Sequence, residues 1–571
     1  MILEFLNDWF RDDNAEADPS EPLYIIEAGA GLGKLAFLIV RELLAAREFY
    51  PEMCGGETPF RYVLTDCAPQ NLAFWDAHDQ LKPLFDLGVL DAALVDVSVP
   101  GLGGEIRLTH SGDVISPGRP VRNPIFCISN YVINALPHDA FQIRSDGRVY
   151  MASCEARTRV ADPLAAADED EDTDDEKGEG GNKHGHGDNS LKPHEIIQGL
   201  DCEWSYAPVH ADDFEPLFGN NTMLNAIPET YRQLMQHSKR EAINKKVDFG
   251  SKGRASAVGG KDSKQQQLPG LDFSASFSVP SAGIMMLQSL ARMVTGRRLA
   301  VLVGDKGYTR LSEMRGVLRN PHLARHGSFS AMVNFHALQL FVDQVQKSAT
   351  SSGSGRAFMR ISPFSEGFKT AFLVMGMGSA EVPQSVWAFE DWAYSRGPDQ
   401  LSSLQRHEGQ QCPDAKLDHA IGLLRLCNYD PEVFLKFKKQ FIRAVGDPLT
   451  PKQVRKDIGM LTDSVLSRHY TVTKDKDIWF ELARIHMGLA QYRKAGVLFE
   501  ISNQKCGDHH VTHHNKGICL FYMGKLTEAK KAFQTSLAKS PGYAEAVKWS
   551  AKVDEAMQAI KTSSGASLQT V

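Results

Sequence analysis

From residue 23 the chain alternates short apolar runs with segments whose apolar residues recur at helical spacing. LYIIEAG (23–29) reads as a strand, LAFLIVRELLAA (35–46) as a helix and FRYVLTD (60–66) as a second strand. NLAFWDAHDQL (71–81) follows as a helix, AALVDVS (92–98) as a third strand and NPIFCISNYVI (123–133) as a fourth. Such alternation predicts a largely parallel sheet covered by helices. Regular patterning returns with a helix in AGIMMLQSLARMV (282–294) and a strand in RRLAVLVGDKGY (297–308). RAFMRISPF (356–364) and GFKTAFLVMGMG (367–378) read as a further strand pair, closing one α/β domain over 1–380.

Two stretches break this pattern. Nine of the twelve residues from Asp168 to Glu179 are acidic, and Lys239 to Lys264 carries eight Lys/Arg against three acids. Neither has the apolar content to build a core, so 162–190 and 236–270 are expected to be flexible, disordered insertions. From about Ser385 the strand signal fades. Residues 381–470 read as a helical connecting region and 471–571 as helical repeats with a C-terminal cap. The repeat shows as a 34-residue recurrence: Tyr492, Ala495, Phe499 and Ser502 return as Leu526, Ala529, Phe533 and Ser536, and Ala483 returns as Gly517. This small-residue and aromatic pattern resembles the tetratricopeptide repeat (TPR), in which close helix pairs stack.

Composition narrows the partners. A net charge of −7 lacks the basic excess of a nucleic-acid binder. Nine cysteines without a C-x-x-C pair fit buried thiols in a reducing compartment. No apolar run is long enough for a membrane span, and the first residues lack a signal or transit pattern, so a cytoplasmic location is expected.

The chemistry centres on EAGAGLG (27–33), between the first strand and its helix. A Walker A loop would need Gly where Ala28 stands and a hydroxyl where Leu35 stands. The dinucleotide fingerprint would need Gly in place of Lys34, although Asp66 sits where that fold places its acid. S-adenosylmethionine (SAM) meets the pattern better. It carries a sulfonium and an ammonium, and Glu27 beside the glycines suits a cation rather than a phosphate. Gly29, Gly31 and Gly33 allow close approach, and Asp66 can accept both ribose hydroxyls. A glycine turn that only packs a helix on a sheet is the plain alternative.

Taken together, YIIEAGAGLGKLAFLIVREL, YVLTDCAPQN, ISNYVINALPHDAF, LAVLVGDKGY and SFSAMVNFHAL resemble the MidA-like branch of class I SAM-dependent methyltransferases. That resemblance implies a Rossmann-like α/β fold, SAM as cofactor and, in the family, protein arginine methylation. It also implies that Asp96, at the third strand end, contacts the adenine amino group, with an ordinary loop aspartate as the plain alternative. Family members read N-E-F-F-D-A-L-P at the fourth strand end, whereas this chain has Asn130, Tyr131 and Asn134 within NYVINALP. The two missing carboxylates leave the catalytic base open among Asn130, Tyr131, Asn134, His138 and Asp139. Twenty-odd residues precede the loop where the family has a covering segment, so that lid is expected to be absent, shortened or supplied by the insertions. The protein acceptor, or a partner in a non-catalytic scaffold, would be bound by the TPR-like repeats. HHVTHH (509–514) has zinc-like spacing but no completing ligand, so no metal site is expected, and Cys67 reads as a small core residue.

Overall fold

The structure is a computed structural model. It describes the whole chain except residues 12, 56, 159–196, 198, 210–217, 253–273, 317, 326–327, 350–355, 363–366, 396, 398–416, 473–475 and 567–571, and the side chains of 53, 239–252, 349 and 561–566. The chain divides into two compact units, Met1–Gly397 and Pro398–Val571.

The first unit opens with helix α1 (Ile2–Trp9) and strand β1 (Leu23–Ala28), followed by α2 (Lys34–Ala45), β2 (Phe60–Asp66), α3 (Pro69–Ala77), β3 (Leu90–Leu94) and β4 (Ile125–Asn130). An antiparallel excursion follows, through β5 (Asp139–Ile143), β6 (Val149–Thr158), β7 (Leu200–Val209), α4 (Thr222–Lys252) and β8 (Ala275–Val279). The chain then runs through α5 (Ser281–Arg292), β9 (Leu299–Tyr308), α6 (Phe335–Ala349), β10 (Ala357–Ile361), β11 (Phe368–Met375) and α7 (Pro383–Ser395).

The main sheet has the order β10-β11-β9-β4-β1-β2-β3. β3, β2, β1, β4 and β9 pair in parallel, and β11 runs antiparallel between β9 and β10. Every residue of β1 is buried, as a strand covered on both faces requires. Because β2 and β4 flank β1, the connections diverge there, and the crevice beyond the carboxyl ends of β1 and β4 is where such sheets bind ligands.

The second sheet, β8-β5-β6-β7, is antiparallel, and the sequence reading did not foresee it. One apolar cluster joins the two sheets, including Tyr24, Ile26, Cys127 and Val301 with Phe141, Ile143, Val149 and Phe277. The acidic insertion lies outside the described residues. Of the basic one, residues 236–252 belong to α4, which continues to Lys252, and 253–270 lie outside the described residues. That helix is anchored upstream by Leu224, Ile227, Tyr231 and Met235, all buried, and charged residues then extend it.

The unit ends later than residue 380. Asp8 of α1 accepts hydrogen bonds from the backbone N–H of Gln384 (3.2 Å) and Ser385 (2.8 Å) and from Ser385 Oγ (2.7 Å), so α7 packs with α1 and belongs to the first unit. Phe5 meets Phe126 edge-on at 5.2 Å, and Trp9 Nε1 donates to Asn123 Oδ1 at 2.9 Å.

The second unit is all-helical over its described residues. Helices α8 (Leu417–Leu426), α9 (Pro431–Gly446), α10 (Lys452–Arg468), α11 (Ile478–Gly488), α12 (Tyr492–Cys506), α13 (His510–Tyr522), α14 (Leu526–Lys539) and α15 (Ala544–Ala566) follow one another. Ala495, Phe499, Ser502, Ala529, Phe533 and Ser536 are all fully buried, so the 34-residue recurrence is a recurrence of packing. A Cβ on Gly517 would lie 2.7 Å from the Phe533 ring, which explains the small residue there. A single core runs from Ala420 to Cys519, so α8–α10 share a core with the first repeat instead of merely connecting to it.

Candidate functional site

The glycine loop leaves β1 with Gly29, Gly31 and Gly33 at φ 61°, 56° and 75°, the left-handed region that side chains resist. Three neighbours fix it. Ala30 N–H donates to Thr65 O at 2.8 Å, Gly31 N–H donates to Asp66 Oδ2 at 3.0 Å, and Trp75 Nε1 donates to Gly31 O at 2.9 Å. Asp66 Oδ1 also accepts from Ala68 N–H at 3.0 Å. Two backbone donors occupy about half of the roughly four acceptor positions a carboxylate offers.

The glycines are not equivalent. A Cβ on Gly29 would crowd Val132 at 3.1 Å, and one on Gly33 would crowd Trp75 at 3.3 Å, whereas one on Gly31 would meet nothing within 4 Å. Gly31 therefore borders open space at the loop's crest. On the same carboxyl-end side of the sheet, Leu32 of the loop, Leu94 at the end of β3 and Tyr131 after β4 are exposed large apolar side chains. Asp96 is exposed there too, its Oδ1 accepting from Ser98 N–H (2.9 Å) and Oγ (2.6 Å).

Glu27 does not face that space. It is 4% exposed, and its Oε2 accepts from Tyr62 OH at 2.8 Å. Burial pushes its carboxyl up to about 7, against the lowering from Tyr62 and from the Ala36 N–H. The strand pleat turns it inward, so its role is to brace the loop and the start of α2 from beneath rather than to attract a cation directly. Cys67, expected in the core, is exposed.

The turn after β4 gathers the remaining candidates. Tyr131 has φ 56°, uncommon for a residue with a side chain, and is held by its N–H to Gly304 O (2.8 Å) and by its ring 5.3 Å from Phe368. Asn130 lies beside Gly304, where an added Cβ would come within 3.0 Å of Asn130 Oδ1. Asn134 is buried and its N–H donates to Asp305 Oδ2 at 3.0 Å. Asp305, fully buried and pushed up to about 7 by burial, ties this turn to β9.

His138 and Asp139 point the turn toward the second sheet. They line a cavity of ≈ 650 Å³ with Phe141, Trp204, Phe277 and Tyr308. The carbonyl of Ile133 can only accept, so His138 Nε2, at 2.9 Å, carries the proton, and Nδ1 is buried without a partner. Burial lowers the His138 pKa, favouring the neutral ring. Burial raises the Asp139 pKa although Ser281 Oγ donates to its carboxylate.

Sequence reasoning missed Trp75, Thr65 and Asp305. A tryptophan in a helix reads as core, and a backbone carbonyl leaves no sequence signal. Asp305 was visible only as the polar end of an apolar strand. The histidine run serves packing: His509 caps α13 by accepting from Val511 N–H (3.3 Å), and buried His514 lies 5.6 Å from Phe533. Among the described residues no group of His, Cys, Asp or Glu could hold a metal, and no helix is long and apolar enough to cross a membrane.

Comparison with known proteins returns no matching family and no matching curated protein. Among solved structures, the crystal structure of YrrB, a TPR protein with an unusual peptide-binding site, is similar over 28% of this chain and 72% of that chain, at 16% identity and a TM-score of 0.21. At that score the helical-repeat architecture rests on the packing described above, not on the likeness.

Proposed function

We propose that the chain is a SAM-dependent methyltransferase acting on a protein acceptor bound by its C-terminal TPR-like repeats. The observation that carries this reading is the Gly31 crest, open above and clamped by Asp66 at the switch point of the sheet. The strand order, with β11 reversed between β9 and β10, supports a class I methyltransferase fold of Rossmann-like type.

The residues present fit the cofactor. Gly31 leaves room where a side chain would intrude, Asp66 keeps acceptor positions for ribose hydroxyls, and Leu94 and Leu32 offer apolar surface beside Asp96. Gly29 and Gly33 shape the loop, and Glu27 supports it from below. When bound, SAM supplies a methyl group on a sulfonium, an already activated leaving group. The chain's task is then mainly to position the acceptor and exclude water. His138, with its proton held on Nε2, leaves Nδ1 as a buried acceptor on the second-sheet side of the β4 turn, so the base for the nucleophile's proton stays open.

Titration calorimetry of SAM into the wild type and Gly31→Val tests the reading. Micromolar binding that the substitution abolishes supports it, and absence of wild-type binding overturns it. A second reading is a non-catalytic scaffold. Tyr131 and Asn134 favour it, because neither supplies a carboxylate; Asp305 holds only the backbone N–H of Asn134. Transfer of labelled methyl to the chain itself or to lysate protein separates the two.

A further inference from the structure

A second cavity of ≈ 500 Å³ lies at the other edge of the main sheet. Its lining includes Met375, and Met375 pairs with Leu299, the first residue of β9. The cavity therefore sits at the amino ends of the parallel strands, away from the glycine loop. Its walls divide by chemistry. Met223, Ala291, Phe341, Val345 and Met375 provide an apolar side, and Arg292 and Arg297 provide two guanidinium groups. No acidic residue lines it, and neither arginine pairs with another described residue. Asn221 Nδ2 donates to Gln288 Oε1 at 2.7 Å, fixing the polar wall between helices α4 and α5.

The arginine side is built at a backbone cost. Arg297 has φ 57°, in the turn Thr295–Arg297 between α5 and β9. The turn is pressed onto the end of β11, where a Cβ on Gly376 would lie 2.6 Å from Arg297 O. A non-glycine residue held in this region is strained and persists only where its surroundings enforce it. Here the enforced residue carries one of the two unpaired cations.

We propose that this cavity binds a small amphipathic anion, a phosphate or carboxylate joined to a short apolar tail or ring. Arg292 and Arg297 hold the anionic head, as guanidinium forks do for such groups. Met223, Phe341 and Val345 take the apolar part. The volume lies within the range of small-molecule sites. The site is independent of the glycine loop, so it stands whether or not the chain binds SAM.

The test is calorimetry on the full chain with n-hexyl phosphate, inorganic phosphate and n-hexanol. Hexyl phosphate is expected to bind about tenfold or more tighter than either half, because both walls are engaged. Arg292→Gln and Arg297→Gly are each expected to weaken it about tenfold. Arg297→Gly is the informative variant, since glycine adopts this φ freely and circular dichroism should show an intact fold. Hexyl phosphate binding no tighter than inorganic phosphate would overturn the amphipathic ligand. Unchanged affinity in a folded Arg297→Gly would overturn the site.

Discussion

Gly31 donates its backbone N–H to Asp66 Oδ2 at 3.0 Å across 35 residues of sequence, tying the end of the second strand to the crest of the first loop. The carboxylate thus shapes the loop before any ligand arrives. Asp66→Ala should lower stability by about 2 kcal/mol, the scale of hydrogen bonds to a charged acceptor, and weaken SAM binding. Asp66→Asn keeps an acceptor oxygen and should recover part of the stability. Denaturant unfolding read alongside calorimetry separates the two effects.

Glu27 makes stability depend on pH. Its carboxyl is raised to about 7 in the folded chain, above the 4.5 of an ordinary glutamate, so the neutral form is the one the fold favours. Its contribution is full below about 4.5 and is lost as pH rises through about 7. Glu27→Gln should therefore gain stability relative to wild type between pH 5 and 8, by an amount on the order of 3 kcal/mol at most. Melting temperatures of both proteins across that range check this. A difference that is flat with pH would place the proton elsewhere.

In the helical unit, Gly517→Ala should destabilise by about 1–3 kcal/mol, because the new methyl meets the buried Phe533 ring. Adding Phe533→Leu should make the pair less costly than the sum of the single changes. A double-mutant unfolding cycle measures the coupling. Additive losses would mean the two residues do not share the contact.

Asp8→Ala removes the acceptor for two backbone N–H groups of α7 and the Ser385 hydroxyl. The expected loss is on the order of 3 kcal/mol, since those donors stay buried and unpaired. Hydrogen exchange should quicken in residues 383–395 while the helical unit is unaffected.

The sequence made the five parallel strands legible because each is a short apolar run bounded by Gly, Pro or Asp. The repeats were legible because Phe499 and Phe533 recur with their small neighbours. The antiparallel sheet was hidden by its own exposure: β7 alternates half-buried and exposed residues such as Glu203 and Ser205, which gives little apolar signal. Helix α4 was hidden by charge, since its later turns compose like a loop. At the candidate site the glycines and Asp66 were readable from type and spacing. The left-handed Tyr131 was not, because a tyrosine announces nothing about φ. The inward turn of Glu27 was not legible either, because residue type does not say which side of the strand pleat a side chain takes.

The closure of α1 onto α7 sets a condition on biosynthesis. Asp8 and Ser385 are 377 residues apart, and translation at the usual ~5–20 residues per second needs about 20 to 75 s to cover that interval. Over that interval α1 can meet its sheet-side partners, Phe126 and Asn123, but Asp8 lacks the N–H groups of α7 that it finally accepts from. The seam between these two helices is therefore among the last parts of the first unit that the growing chain can complete.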